Sequence, residues 1–252
     1  MKILVNGAGG RMGRALCSMI AGGSRHSELA GAVDAFVRED GFLPSLDAFT
    51  GEADCLIDFS HHTGTEALTA FAAARRLPLV IATTGQTEEE TAMIRRAAES
   101  IPVFYSGNMS LGIALLTRLA RITAGMFPDA DIEIVEQHHN QKLDVPSGTA
   151  LMLGRAVQEV RPESVLLVGR HENGMRTRQE IGIHSLRMGN TVGIHEVIVN
   201  TGTQIITLKH EAQDRSLFAE GALAAAAFLL GRAPGLYDMN DIVAQEERTD
   251  TL

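Results

Sequence analysis

Short β-type apolar runs alternate, from the first residue onward, with longer stretches of helical pattern. The strand-like runs cover residues 2–6, 29–33, 55–59, 79–82 and 103–105, and the helical stretches 11–21, 63–76 and 87–100. Parallel strands need crossover connections, which helices supply, so this alternation predicts an α/β fold with a doubly wound parallel sheet. After about residue 130 the rhythm changes. A strand at 131–136 and a helix at 148–160 are followed by strands at 181–187, 193–199 and 204–210, the last two joined at Asn200-Thr201-Gly202-Thr203. That order predicts a second, α+β domain built on a mixed sheet. An Ala- and Leu-rich helix at 215–230 follows, and the segment Gly235-Leu236-Tyr237-Asp238-Met239 is expected to return to the first domain. The expected division is therefore residues 1–108 together with 214–252 as one domain and 109–213 as the other, with the charged tail 246–250 solvated.

Composition narrows the classes of function without choosing one. A chain of 252 residues, 45% of them hydrophobic, can bury a sizeable core. Cys17 and Cys55 have no disulfide or metal-ligand spacing, and the apolar start at Lys2-Ile3-Leu4-Val5 is too short for a signal peptide. A reducing, cytoplasmic compartment is the expectation. No run reaches membrane-spanning length, and a net charge of −9 disfavours nucleic acid and anionic membranes as partners. Any anionic ligand must meet positive groups placed locally.

Gly7-Ala8-Gly9-Gly10-Arg11-Met12-Gly13 follows the first strand and opens the first helix. There, free backbone amides and the helix dipole can hold a pyrophosphate, and glycines let the backbone approach it. The spacing is Gly7-x-x-Gly10-x-x-Gly13 rather than the strict dinucleotide fingerprint, since Met12 stands where the third glycine would fall. A ligand-free tight turn would use the same residues. Asp34 adds weight to the cofactor reading, because it closes the second strand about 20 residues on, where an acid accepts ribose hydroxyls. The first domain is then of Rossmann type. Ala35 offers nothing to a 2′-phosphate, although Arg11 or Arg38 could. Two further loops at strand carboxyl ends, Ala82-Thr83-Thr84-Gly85 and Ser106-Gly107-Asn108-Met109, fall where an open sheet presents its ligand crevice.

The densest chemistry lies in His138-His139-Asn140-Gln141-Lys142-Leu143-Asp144-Val145-Pro146-Ser147-Gly148-Thr149. Histidine exchanges protons near neutral pH and lysine supplies a positive charge or a proton, so the pair suits reduction of a polarised C=N or C=C bond. Ser147, Gly148 and Thr149 look like a helix entry, whose free amides and hydroxyls can hold a carboxylate. A capped helix preceded by solvated side chains would use the same residue types; what favours a site is the gathering of acid, base, cation and anion nest within a dozen residues. The adjacent His61 and His62 lack a neighbouring lysine or nest and are expected to be loop residues near the crevice. No metal site is expected, because neighbouring histidines seldom converge on one ion. Tyr105 and Tyr237 lack a lysine at short-chain-dehydrogenase spacing. Another nicotinamide-dependent imine reductase or amino-acid dehydrogenase, and a nucleotide-binding regulatory protein without catalysis, are the competing readings.

Taken together, these motifs resemble those of the 4-hydroxy-tetrahydrodipicolinate reductases over nearly the whole chain. The resemblance is carried by Gly7 to Arg14, by Glu136-x-His138-His139-x-x-Lys142-x-Asp144-x-Pro146-Ser147-Gly148-Thr149-Ala150, by Ile183-His184-Ser185-Leu186-Arg187, by Val192-Gly193-x-His195-Glu196 and by 235–239. It implies that His138 is the general acid/base and Lys142 a proton donor and substrate anchor. It implies that His139, Gly148 and Thr149 hold substrate carboxylates, with Ser147 supporting them. It further implies NADH or NADPH bound along residues 7–13, with Asp34 at the ribose and Ala82 to Thr84 and Ser106 to Met109 near the nicotinamide. The substrate would be a cyclic imine carrying two carboxylates and the assembly a homotetramer. Three positions depart from the family's habit: Ala35 stands where NADPH-preferring members carry arginine, Ala82 replaces a glycine, and Met109 a phenylalanine. The first implies that NADH serves at least as well as NADPH.

Overall fold

A computed structural model describes residues 1–37 and 39–249, with the side chains of 246–249 left aside; Arg38 and the end of the tail lie outside the described residues. The chain divides into two compact units, Met1–Ser110 with Ser216–Leu252, and Leu111–Arg215.

In the first unit, β1 (Lys2–Asn6), α1 (Arg11–Ala21), β2 (Glu28–Val33), β3 (Phe42–Leu43), β4 (Cys55–Asp58), α2 (Thr65–Ala74), β5 (Leu79–Ile81), α3 (Glu88–Ala98) and β6 (Pro102–Tyr105) follow one another. Every strand pairing is parallel, and the sheet order is β12-β6-β5-β4-β1-β2-β3, where β12 (Gly235–Tyr237) pairs with β6 after the chain returns. Ile3, Leu4 and Val5, like Cys55 to Ile57 and Leu79 to Ile81, are wholly buried. That is why these strands read as unbroken apolar runs: a parallel sheet is covered on both faces. Helix α3 begins at a capping box, Thr87 Oγ1 accepting from the Glu90 amide while the Glu90 carboxylate accepts from the Thr87 amide. The helix α6 (Ser216–Leu229) packs eight buried residues, mostly alanine, and α7 (Met239–Thr249) ends the unit.

The second unit begins with α4 (Leu111–Met126), a stretch where the sequence patterns above predict no element. Its buried Ile113, Leu116, Ala120 and Ala124 share one face at helical spacing. Then come β7 (Asp131–His138), α5 (Gly148–Gln158), β8 (Val165–Val168), β9 (Glu180–Arg187), β10 (Gly193–Asn200) and β11 (Ile205–Ala212), in sheet order β11-β10-β7-β9-β8. β10 is antiparallel to both neighbours, while β7, β9 and β8 run parallel, so the sheet is mixed. The hairpin at 200–203 is closed by the Thr201 amide on the Gln204 carbonyl, with Gly202 at φ +89°. Helices α4 and α5 share a core with the inward residues Ile132, Ile134, Ile181, Ile183, Val197 and Val199. On the opposite face, Val165, Leu186 and Ile205 are exposed. Among the described residues no helix is long and apolar enough to cross a membrane.

Candidate active site

In the turn after β1, Gly7 and Gly13 leave no room for a side chain. Gly7 sits at φ +72°, and a Cβ there would lie 2.6 Å from the backbone of Phe59 and Ser60; at Gly13 it would lie 2.1 Å from the Gly7 carbonyl oxygen. Helix α1 can therefore start close against the strand end. Gly10 supplies no side-chain cap, which leaves the first turn of α1 open to a ligand. Ala8 is wholly buried and gives its amide to Val33 O at 3.0 Å, so it and Gly13 shape the turn from behind.

Three cavities in the first unit follow one another along the carboxyl ends of its strands. The largest, about 1000 Å³, includes Gly7, Gly10, Asp34, Ala35, Phe36 and His61. The next, about 300 Å³, shares Gly10 and His61 with it and adds Arg11, Met12, Ala82, Thr83 and Thr84. The third, about 240 Å³, shares Met12, Ala82 and Thr84 with the second and reaches Ser106, Gly107, Asn108 and Met109. The crevice is thus continuous.

Asp34 accepts from the backbone amides of Gly9, Phe36 and Val37 at 3.0, 2.9 and 3.1 Å. Burial opposes its ionisation, but those amides and the Arg14 charge prevail and hold its pKa below the ordinary value. A carboxylate offers about four lone-pair positions, so among the described residues one remains for a ligand hydroxyl. Arg14 itself is tied to Glu39 at 2.8 Å. Arg11 lines the crevice, whereas Arg38, the other cation considered for a 2′-phosphate, lies outside the described residues. The buried Asp58 ties the ends of three strands together, accepting from Asn6, Ser60 and Thr83 side chains at 2.7, 2.6 and 2.6 Å. Of the histidine pair, His61 faces the crevice, and His62 binds Glu90 at the start of α3 at 2.9 Å.

In the second unit, Glu136 and His138 are two residues apart on β7 and so share its inward face. His138 Nδ1 lies 2.5 Å from Oε2 of Glu136, which is completely buried. Arg187 on β9 grips both oxygens of that carboxylate, at 2.9 and 2.8 Å, and the Ser147 amide adds a bond at 3.1 Å. Burial would raise the Glu136 pKa; these donors pull it down to about 2. The His138 pKa is lowered as well, which for a histidine favours the neutral form, since burial and the nearby Lys142 and Arg187 charges outweigh Glu136.

Ser147 caps α5, its Oγ accepting from the Ala150 amide at 3.2 Å, and Gly148 and Thr149 form the first turn of that helix. His195 on β10 meets Ser147 Oγ at 3.2 Å and is kept neutral by burial, its pKa lowered to about 4. Lys142 pairs with Asp144 at 2.8 Å, and His139 Nε2 accepts from Arg215 at 3.4 Å, arginine having no acceptor. The arrangement can exchange a proton at one histidine beside a helix entry suited to a carboxylate, with the Lys142, Arg187 and Arg215 cations close by.

Motif reading assigned no task to Glu136, Arg187, His195 or Arg215. For Glu136 a signal existed: in Ile132-Glu133-Ile134-Val135-Glu136-Gln137-His138 the inward alternation of β7 turns from isoleucine to charge. Arg187 and His195 are drawn to it by strand pairing alone, opposite His138 on β9 and Glu136 on β10.

Residues 1–109 match the family model for the N-terminus of dihydrodipicolinate reductase, and residues 112–243 the model for its C-terminus. Over 246 residues the chain is 42% identical to a 4-hydroxy-tetrahydrodipicolinate reductase of Caldanaerobacter subterraneus subsp. tengcongensis, covering 96% of this chain and 98% of the relative. It is 40% identical over 268 residues to the enzyme of that name from Roseobacter denitrificans, covering 98% of each. Its fold is similar to that of a dipicolinate-bound dihydrodipicolinate reductase from Paenisporosarcina sp. TG-14, with a TM-score of 0.82, 24% identity and coverage of 96% of this chain and 99% of the other. With matches to both halves and relatives of this identity over nearly its whole length, the chain belongs to the dihydrodipicolinate reductase family.

Proposed function

We propose that this protein reduces 4-hydroxy-tetrahydrodipicolinate to tetrahydrodipicolinate, a step of lysine and diaminopimelate biosynthesis in the cytoplasm. The observation that carries this reading is family membership over both halves of the chain, with the crevice and the Glu136-His138-Ser147 cluster built in the matched segments. The overall change adds one hydride and one proton to the substrate and releases water. Bound NADH or NADPH supplies the hydride.

The first unit is the dinucleotide-binding domain in this reading. Residues Gly7 to Gly13 cradle the pyrophosphate, Asp34 accepts a ribose hydroxyl, and Ala82 to Thr84 with Ser106 to Met109 border the nicotinamide. The crevice supports this through its bare first turn of α1 and the lone pair on Asp34 that no described residue takes. With Ala35 uncharged beside Asp34, NADH serves at least as well as NADPH.

In the second unit, His138 exchanges the proton and Lys142 donates a proton and anchors the substrate. His139 and the amides of Gly148 and Thr149 hold its two carboxylates, Ser147 keeping the helix entry in shape. The uncovered sheet face that exposes Val165, Leu186 and Ile205 suits a homotetramer packed through this domain. Incubating purified protein with NADH or NADPH and freshly generated substrate tests the reaction: reduced-nicotinamide absorbance should fall well above the uncatalysed rate, and no such loss would refute the assignment. Light scattering during gel filtration tests the tetramer, which a monomeric mass would refute.

A further inference from the structure

Which ring nitrogen of a histidine carries the proton decides what the other can do. Nδ1 of His138 faces Oε2 of Glu136 at 2.5 Å. A carboxylate that is ionised can only accept, so the nitrogen facing it must be protonated, whether the ring is neutral or cationic. Glu136 is ionised, because the Arg187 fork and the Ser147 amide donate to it from two further sides. Neutral His138 is thereby confined to the Nδ1–H tautomer, and Nε2 is the atom left to take up and release a proton.

The surroundings of Nε2 fit that task. A Cβ at Gly193 on β10 would stand 3.1 Å from His138 Nε2, so the missing side chain keeps this edge of the ring open. The ionisable groups around the ring come from four directions: Glu136 on its own strand, Arg187 on β9, His195 on β10 with its ring 5.2 Å away, and Lys142 on the following loop. Of these, only Glu136 favours the cationic ring.

The same carboxylate has a second task. It holds the amide of Ser147, the residue at which α5 begins, and Arg187 also donates to the Asp144 carbonyl oxygen at 2.7 Å. The loop from His139 to Ser147 thus leaves from one partner of Glu136 and returns to another. We infer that Glu136, oriented by Arg187, is a positioning residue that selects the His138 tautomer with Nε2 toward substrate and fixes that nitrogen relative to the amides opening α5. Its consequence for catalysis rests on the reductase reading; the tautomer does not.

Nitrogen-15 NMR of the full chain with labelled histidine, at neutral pH, reads the tautomer directly, with His138 assigned by the signal lost in His138→Gln. The expected spectrum has a protonated Nδ1 and a bare Nε2, and an Nε2–H tautomer or an even mixture overturns the inference. Because this readout needs no turnover, it stands or falls apart from the proposed reaction. Glu136→Gln keeps the size and one acceptor but removes the charge. In that variant kcat should fall about 10- to 100-fold with NADH affinity within about twofold. The basic limb of its kcat–pH profile should move about one unit lower, since the cationic ring has lost its partner. An unmoved limb with unchanged kcat overturns the inference as well.

Discussion

Replacing the groups around Asp34 gives a prediction whose size follows from the structure. The carboxylate is ionised, fixed by three backbone amides, and followed by the uncharged Ala35. The nearest arginine on α1, Arg14, is neutralised by Glu39. A 2′-phosphate on the adenosine ribose would bring about −1.5 to −2 charges to roughly 6 Å from this carboxylate. At an effective dielectric of about 40–80, the repulsion is about 1–3 kcal/mol, a factor of roughly 5–100 in affinity. Titration of the protein with NADH and NADPH at low salt should therefore give tighter NADH binding by a factor in that range, narrowing as salt rises. In Asp34→Asn the ratio should approach one, and Ala35→Arg should invert it. Tighter NADPH binding by the unaltered protein, or a ratio that Asp34→Asn leaves untouched, would refute the reasoning.

Three further outcomes are expected. His138→Gln should lower kcat about 100-fold or more while NADH affinity stays nearly intact, measured by steady-state kinetics beside cofactor titration. Gly193→Ala places a methyl group against His138 Nε2 and should cut kcat/KM about tenfold with little change in Tm; undiminished kcat/KM would mean that this edge of the ring is idle. His195 has an ordinary pKa of 6.5 lowered to about 4 in the fold, so its stabilising effect is complete above 6.5 and is lost as the pH falls toward 4. The loss is about 3 kcal/mol. Urea unfolding followed by circular dichroism at several pH values should show that slope in the native protein and a shallower one in His195→Gln, where the lowered pKa of His138 still contributes.

The first sheet was legible because β1, β4 and β5 are buried on both faces, which leaves unbroken apolar runs bounded by turn residues. Two-residue strands such as β3 carry too little pattern to register, and α4 carries exposed Leu115, Leu119, Ile122 and Met126 besides its buried face, which blurs its helical period. Along the crevice the glycines and Asp34 could be found from position alone, since chain geometry ties them to β1 and β2. The partners of His138 could not. Glu136 and Arg187 are 51 residues apart and meet through the register of β7 on β9, which hydropathy does not report. Arg215 reaches His139 across 76 residues and reads in sequence as the start of a helix. Motif spacing thus located the reacting histidine, whereas the groups that set its tautomer and charge came from strand pairing.

The central claim is that this chain delivers hydride to a cyclic imine bearing two carboxylates. Mass spectrometry of the product formed from NADH deuterated at the transferring carbon tests it most directly. Tetrahydrodipicolinate carrying one deuterium, formed with loss of water and abolished in parallel with turnover in His138→Gln, is the predicted result. Product without deuterium, or unchanged substrate beside unoxidised cofactor, would contradict it.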